Sequence, residues 1–262
     1  MKRLVVSSDD FGMCHSVNAG VLRGFREGIL TQSTLMAPAP WLDEAVAMAK
    51  AHDIPVGVHL VAACDWDLYR WRPLTAAKSI TAPDGTFIDS IQEVRRRGDP
   101  AEVEAEFAAQ IESVIAKGIQ PTHLDSHMWL VSADILAGLC RRFGIPTRNI
   151  AMDDLGERHP DVVFRFGSPV WGPSEEPDKT AALLAWLDGL GDGDHLMVVH
   201  AGQASDELAS MASRDHPAWV WTQPYRQTDL DLILDPRVRR RIDEGGFELI
   251  SLRDVPHALP AR

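Results

Sequence analysis

One alternation constrains this chain more than any other feature. Short apolar, β-branched runs recur along it, and segments with apolar residues at helical spacing lie between most of them. LVVS (4–7), TQSTLMA (31–37), PVGVHL (55–60), PTHLD (121–125), HLMVVH (195–200) and FELISL (247–252) read as strands. VNAGVLRGFREG (17–28), WLDEAVAMAKAHD (41–53), AEVEAEFAAQIESVIAKG (101–118), ADILAGLCRRFG (133–144) and TAALLAWLDGL (180–190) read as helices. Ser16 is the expected N-cap of the first helix and Gly28 its stop. Strands that alternate with helices pair in parallel through crossover connections. The number of units favours a barrel-like α/β domain, with a doubly wound sheet as the alternative. The expected organisation is one domain over 1–262. Two irregular excursions interrupt it, at about 61–100 and about 151–176, and long loops of this kind are often functional.

Composition narrows the function classes. The formal net charge of -12 argues against general nucleic-acid binding. Cys14, Cys64 and Cys140 are odd in number and lack CxxC spacing, so neither a disulfide framework nor a cysteine zinc site is expected. The first apolar run, Leu4 to Val6, is too short for a signal-peptide core. No segment approaches the roughly 20 apolar residues of a membrane span. A cytoplasmic protein without nucleic-acid or membrane partners is expected; a homodimer is a base-rate expectation only.

Polar residues gather where the strands end. The first strand runs into Asp9 and Asp10. His59 lies near the end of PVGVHL; His123, Asp125 and His127 follow one another in HLDSH; His200 closes HLMVVH. Active sites of parallel α/β folds form at the C-terminal ends of strands. An aspartate there commonly caps the next helix, and a lone histidine is more often structural than a ligand. Capping does not explain three strand ends that carry histidine. Two imidazoles and one carboxylate suit a divalent metal. One of the adjacent aspartates could then ligate the ion while the other serves as general base on the attacking water. His123 reads as a buried sheet histidine, and Asp125 as a residue that could orient a histidine ligand.

SSDDFGMCHSVNAGV, VGVHL, PTHLDSH and VVHAG together resemble the YdjC-like carbohydrate deacetylases, also called chitooligosaccharide deacetylases, of the polysaccharide deacetylase group. The order and spacing of the motifs agree from residue 3 to about residue 254. The resemblance implies a distorted (β/α) barrel and hydrolysis of an N-acetyl group from an amino sugar or short oligosaccharide. It implies one divalent metal ion held by Asp10, His59 and His127, with Asp9 as general base and His200 as general acid. Zinc suits two histidines and an aspartate best; magnesium or another divalent ion is the alternative. Two positions depart from the family pattern: Trp129 stands where a further histidine is usual, and Val61 where a polar residue is common. Trp129 could stack on a sugar ring. Arg70, Trp71 and Arg72 in DWDLYRWRPL could form a lid over an anionic or sugar ligand, and Arg148 could point into the site. The alternative functions are a non-catalytic carbohydrate-binding protein on the same scaffold, or a hydrolase of another ester or amide bond.

Overall fold

The structure, a computed structural model, describes residues 1–129, 132–148, 161–162, 179–257 and 259, with the backbone alone at Trp129. The excursion expected over about 151–176 lies outside the described residues apart from 161 and 162.

Six parallel strands form the sheet: β1 (Lys2–Phe11), β2 (Gln32–Leu35), β3 (Val56–Leu60), β4 (Leu124–Ser126), β5 (Gly193–Val199) and β6 (Phe247–Leu249). Their order is β4-β3-β2-β1-β5, and β6 pairs with the start of β1. Thus β1 carries β5 along one edge, and β6 followed by β2 along the other. Beyond β4 a parallel bridge joins Leu124 to Thr147, so the chain at 147–148 continues the sheet. Among the described residues this sheet is open rather than a closed barrel. From Leu4 onward β1 is buried, which accounts for an unbroken apolar run where a one-sided strand would alternate.

Helices α1 (His15–Glu27) and α2 (Leu42–His52) connect the first three strands. Helices α3 (Ile91–Arg97) and α4 (Pro100–Ala116) precede β4; α5 (Ala133–Phe143) follows it. Helix α6 (Lys179–Gly189) leads into β5, and α7 (Asp206–Ala209), α8 (Gln223–Leu234) and α9 (Pro236–Glu244) lead to β6. The N-cap of α1 is Cys14, not Ser16: the Cys14 sulfur accepts the Val17 N–H. Ser16 is engaged elsewhere. Its N–H and hydroxyl donate to Glu207 at 2.8 and 2.6 Å, which sets a carboxylate at the positive end of α1. Helix α1 also lies against the turn after β5. A Cβ on Gly20 would stand 2.8 Å from the Gly202 Cα, so glycine at both positions permits the approach. That contact draws the segment after Asp9 and Asp10 toward the turn after His200.

The excursion over 61–100 is held down by α4. Gln110 donates to the Val61 carbonyl and accepts the Val61 N–H. Glu106, fully buried, accepts from Leu74 N, Thr75 N, the Thr75 hydroxyl and Gln110. Glu106→Ala leaves these donors without their acceptor and is expected to destabilise the protein by about 2–4 kcal/mol. Urea unfolding of the variant and the parent measures the difference.

Candidate active site

The ends of β1, β3, β4 and β5 surround one cavity of about 350 Å³. Its lining includes Asp9, Asp10, His59, Asp125, His127, Arg148 and His200, all singled out in the sequence, and also Asp65, Trp221 and Arg226. The two aspartates reach it together because β1 is irregular there. The pairing with β2 shifts register between Ser8 and Phe11, and Asp10 takes a φ of 70°. Successive side chains of a regular strand point to opposite faces. The left-handed residue cancels that alternation; its conformation is strained for a non-glycine residue and must be held by its surroundings.

Three donor atoms converge. Asp10 Oδ1 is 3.3 Å from His59 Nε2 and 3.3 Å from His127 Nδ1, and those two nitrogens are 3.1 Å apart. Asp10 Oδ1 is buried and has no aligned hydrogen-bond partner among the described residues. Each of the three side chains is steadied from behind. Asp10 Oδ2 accepts from Arg226 at 2.7 Å. His59 Nδ1 lies 2.8 Å from Asp125, and His127 Nε2 lies 2.8 Å from Asp65. Arg148 then joins Asp125 to Asp9, and the Thr34 hydroxyl donates to Asp9 at 3.2 Å.

The charges close to the donors do not balance. Counting the side chains no more than 10% exposed, Asp9, Asp10, Asp65 and Asp125 bring four negative charges and Arg148 and Arg226 two positive ones, a net of minus two; the exposed Arg95 also lines the cavity. Burial would lift Asp10 and Asp125, but the guanidiniums and imidazoles outweigh it and hold both carboxyls below their usual range. Burial would likewise depress the two histidines. The surrounding carboxylates prevail, raising His59 well above its ordinary value and His127 to about 9. The site therefore calls for two further positive charges, which either two imidazolium protons or one dication can supply. Donor atoms around an ion at bonds of about 2.0–2.1 Å stand about 3.3 Å apart in a tetrahedron, close to the spacing here. The chain's own residues thus fit a divalent ion.

His200 stands at the end of β5. Its ring packs against Trp221 and Tyr225, with centroids 5.9 and 5.8 Å away, and its buried Nδ1 has no partner among the described residues. Burial pushes this imidazole down to about 4, so it is neutral in the resting site. Its main-chain N–H donates at 2.8 Å to Asp229, a buried carboxylate paired with Lys179. His123 lies off the cavity. Its ring covers Gly57, where a Cβ would come within 2.5 Å of it, and burial lowers it to about 3. Unfolded, the same imidazole titrates near about 6.5. Its stabilising contribution is therefore complete above that pH and is lost as pH falls from about 6.5 toward 3, at up to about 1.4 kcal/mol per pH unit. Wild type and His123→Leu compared by urea unfolding across this window are expected to differ in that slope.

The lid expected around Trp71 is not what the structure shows. Trp71 is 2% exposed and packs edge-on against Trp66 and Tyr69, away from the cavity lining. Arg72 is exposed and lies over the Gly85 turn. Arg70 fastens the loop on itself through Thr86 and the Phe87 carbonyl. The Trp129 side chain lies outside the described residues. Arg226 and Asp65 went unread in the sequence. Arg226 sits on a helix 216 residues from its partner Asp10, with nothing local to mark it. Asp65, in the CDWD stretch, is the one that a search for acids beside buried aromatics could have found.

Residues 3–244 match the profile of the family described as YdjC-like protein. The chain belongs to the YdjC-like family. A carbohydrate deacetylase of Geobacillus stearothermophilus is 31% identical over 258 residues, covering 95% of this chain and 96% of that protein. A chitooligosaccharide deacetylase of Yersinia pestis is 28% identical, covering 97% and 99%. Among solved structures, an Enterococcus faecalis protein described as a cellobiose-phosphate cleavage protein superposes with a TM-score of 0.83 at 22% identity, over 96% of this chain and 98% of that one. That likeness shows a shared α/β fold over nearly the whole chain. No helix among the described residues is long and apolar enough to cross a membrane.

Proposed function

We propose that this protein is a metal-dependent hydrolase that removes an N-acetyl group from an amino sugar or a short oligosaccharide. One observation carries the reading. A buried carboxylate oxygen of Asp10, without an aligned hydrogen bond among the described residues, faces two imidazole nitrogens at 3.3 Å, among buried charges that sum to minus two. The similarity to proteins named carbohydrate deacetylase supplies the substrate class. Asp10, His59 and His127 would hold the ion, and zinc suits this ligand set better than magnesium, which prefers oxygen ligands and near-octahedral geometry. A divalent ion in that position supplies a Lewis acid for the acetyl carbonyl.

The remaining chemistry belongs to the chain. Asp9 stands in the same cavity as the three donors and serves as the base that takes a proton from the attacking water. Arg148 and Thr34 fix its carboxylate, so one geometry is presented to that water. His200, at the end of the neighbouring strand β5, hands a proton to the leaving amine. The proton that it gives is the one Asp9 takes from the attacking water, passed on before the amine leaves, because His200 is neutral at rest. Trp221 forms an apolar wall beside it, suited to a sugar face. His200→Ala is expected to lower the rate by about 10²–10⁴-fold with metal content unchanged. Acetate release from a panel of N-acetylated mono- and disaccharides by metal-loaded protein tests the proposal. Release that metal-loaded wild type never shows would end it.

A further inference from the structure

The stretch Asp65-Trp66-Asp67 has no part in the reaction as written, yet each of its residues spans a long distance in sequence. Asp65, 10% exposed at its side chain, meets His127 Nε2 at 2.8 Å. Trp66 is fully buried and donates its indole N–H to the Ala218 carbonyl at 3.1 Å. The Trp66 ring also lies under the Arg226 guanidinium, 5.6 Å from centroid to Cζ, and Arg226 in turn holds Asp10. Asp67 accepts from Ser213, both N–H and hydroxyl. Three consecutive residues thus brace two of the three donor side chains and tie them to the segment 213–221 that walls the cavity.

From this arrangement we infer that Asp65 is a positioning residue for His127, resting on the metal reading given above. An imidazole that presents Nδ1 as a lone-pair donor must carry its proton on Nε2. A carboxylate at Nε2 accepts that proton in a hydrogen bond, selects the tautomer, and fixes the ring's rotation. Asp125 does the same for His59 from the opposite side, at Nδ1. The two histidines are therefore held in opposite tautomers, each by its own aspartate, so that both free nitrogens face Asp10 Oδ1. The excursion at 61–100 reaches the site through this strap and through Ile91 and Arg95, which line the cavity, rather than through the lid that Trp71 and Arg72 suggested.

Calorimetric titration of chelator-treated protein with zinc tests the assignment, with thermal melting of the metal-free variants alongside. Asp65→Ala is expected to bind zinc about 10–100-fold more weakly than wild type. Asp65→Asn still offers an oxygen to the Nε2 proton and is expected to lose less than Asp65→Ala. Asp67→Ala, one strap contact further from the donors, is expected to bind as wild type does. Stoichiometric zinc binding by wild type with an unchanged dissociation constant in Asp65→Ala would overturn the positioning role and leave the metal site standing. Equal losses in the Ala and Asn variants, accompanied by equal drops in melting temperature, would make Asp65 merely structural and overturn it as well. Wild type that binds no zinc would overturn the metal reading and this inference with it.

Discussion

Asp10→Ala is expected to reduce bound divalent metal to background and to lower deacetylation by at least about 10³-fold. The size follows from what is removed. Loss of a Lewis acid at the acyl carbonyl forfeits several kcal/mol of transition-state stabilisation, and about 4 kcal/mol is already that factor. The substitution also strips Arg226 of its buried partner, and an uncompensated buried charge costs about 3–5 kcal/mol. Asp10→Asn separates the two effects, because the amide keeps an oxygen near Arg226 while it removes the ligating charge. Elemental analysis of wild type and both variants reads out the metal, and melting temperatures read out the fold. The charge count adds a second consequence. Without metal, the raised His59 and His127 supply the two missing positive charges as protons at neutral pH. Metal uptake at pH 7 should therefore release about two protons, and affinity should weaken as pH falls. Calorimetry in buffers of different ionisation enthalpy counts them; a release of none would contradict the charge argument.

The neighbouring substitution separates base from ligand. Asp9→Asn is expected to retain stoichiometric metal yet lower kcat by about 10²–10⁴-fold, the usual contribution of a positioned general base. Asp9 is not among the three convergent donors. It lies one residue away, and Arg148 joins it to Asp125. An amide there still meets Thr34 and keeps the cavity's shape, so KM should move little. The informative result is the split: metal lost with Asp10, rate lost with Asp9. Were Asp9→Asn to lose metal as Asp10→Ala does, the two roles assigned to the DD pair would collapse into one.

Much of this site was legible from residue order alone. Runs such as LVVS and HLMVVH fixed parallel strands, and the rule that parallel strands deliver chemistry at their C-terminal ends brought Asp9, Asp10, His59, His127 and His200 to one place before any coordinates. Two things resisted the sequence. The first is backbone detail. Alternation along a strand would part Asp9 from Asp10, and the left-handed φ that unites them falls on Asp10 itself. The second is support from afar. Asp65, Arg226 and Asp229 act through partners in other elements, and a single charged residue on a loop or helix carries no periodic signal. The sequence reading names no helix over 223–244; there Pro224 and Pro236 each open a helix in its first turn, where a missing N–H costs nothing. Trp71 misled because aromatics flanked by arginines suggest a binding surface. In the fold the ring is buried, and its neighbours tie the loop to itself.

The most direct test of the central claim is acetate release from an N-acetylated disaccharide by one protein preparation in three states: as purified, stripped by chelator, and stripped then reloaded with zinc. If Asp10, His59 and His127 hold the ion that the reaction needs, stripping abolishes release and reloading restores it. A stripped protein that releases acetate at the rate of the reloaded one would contradict the account.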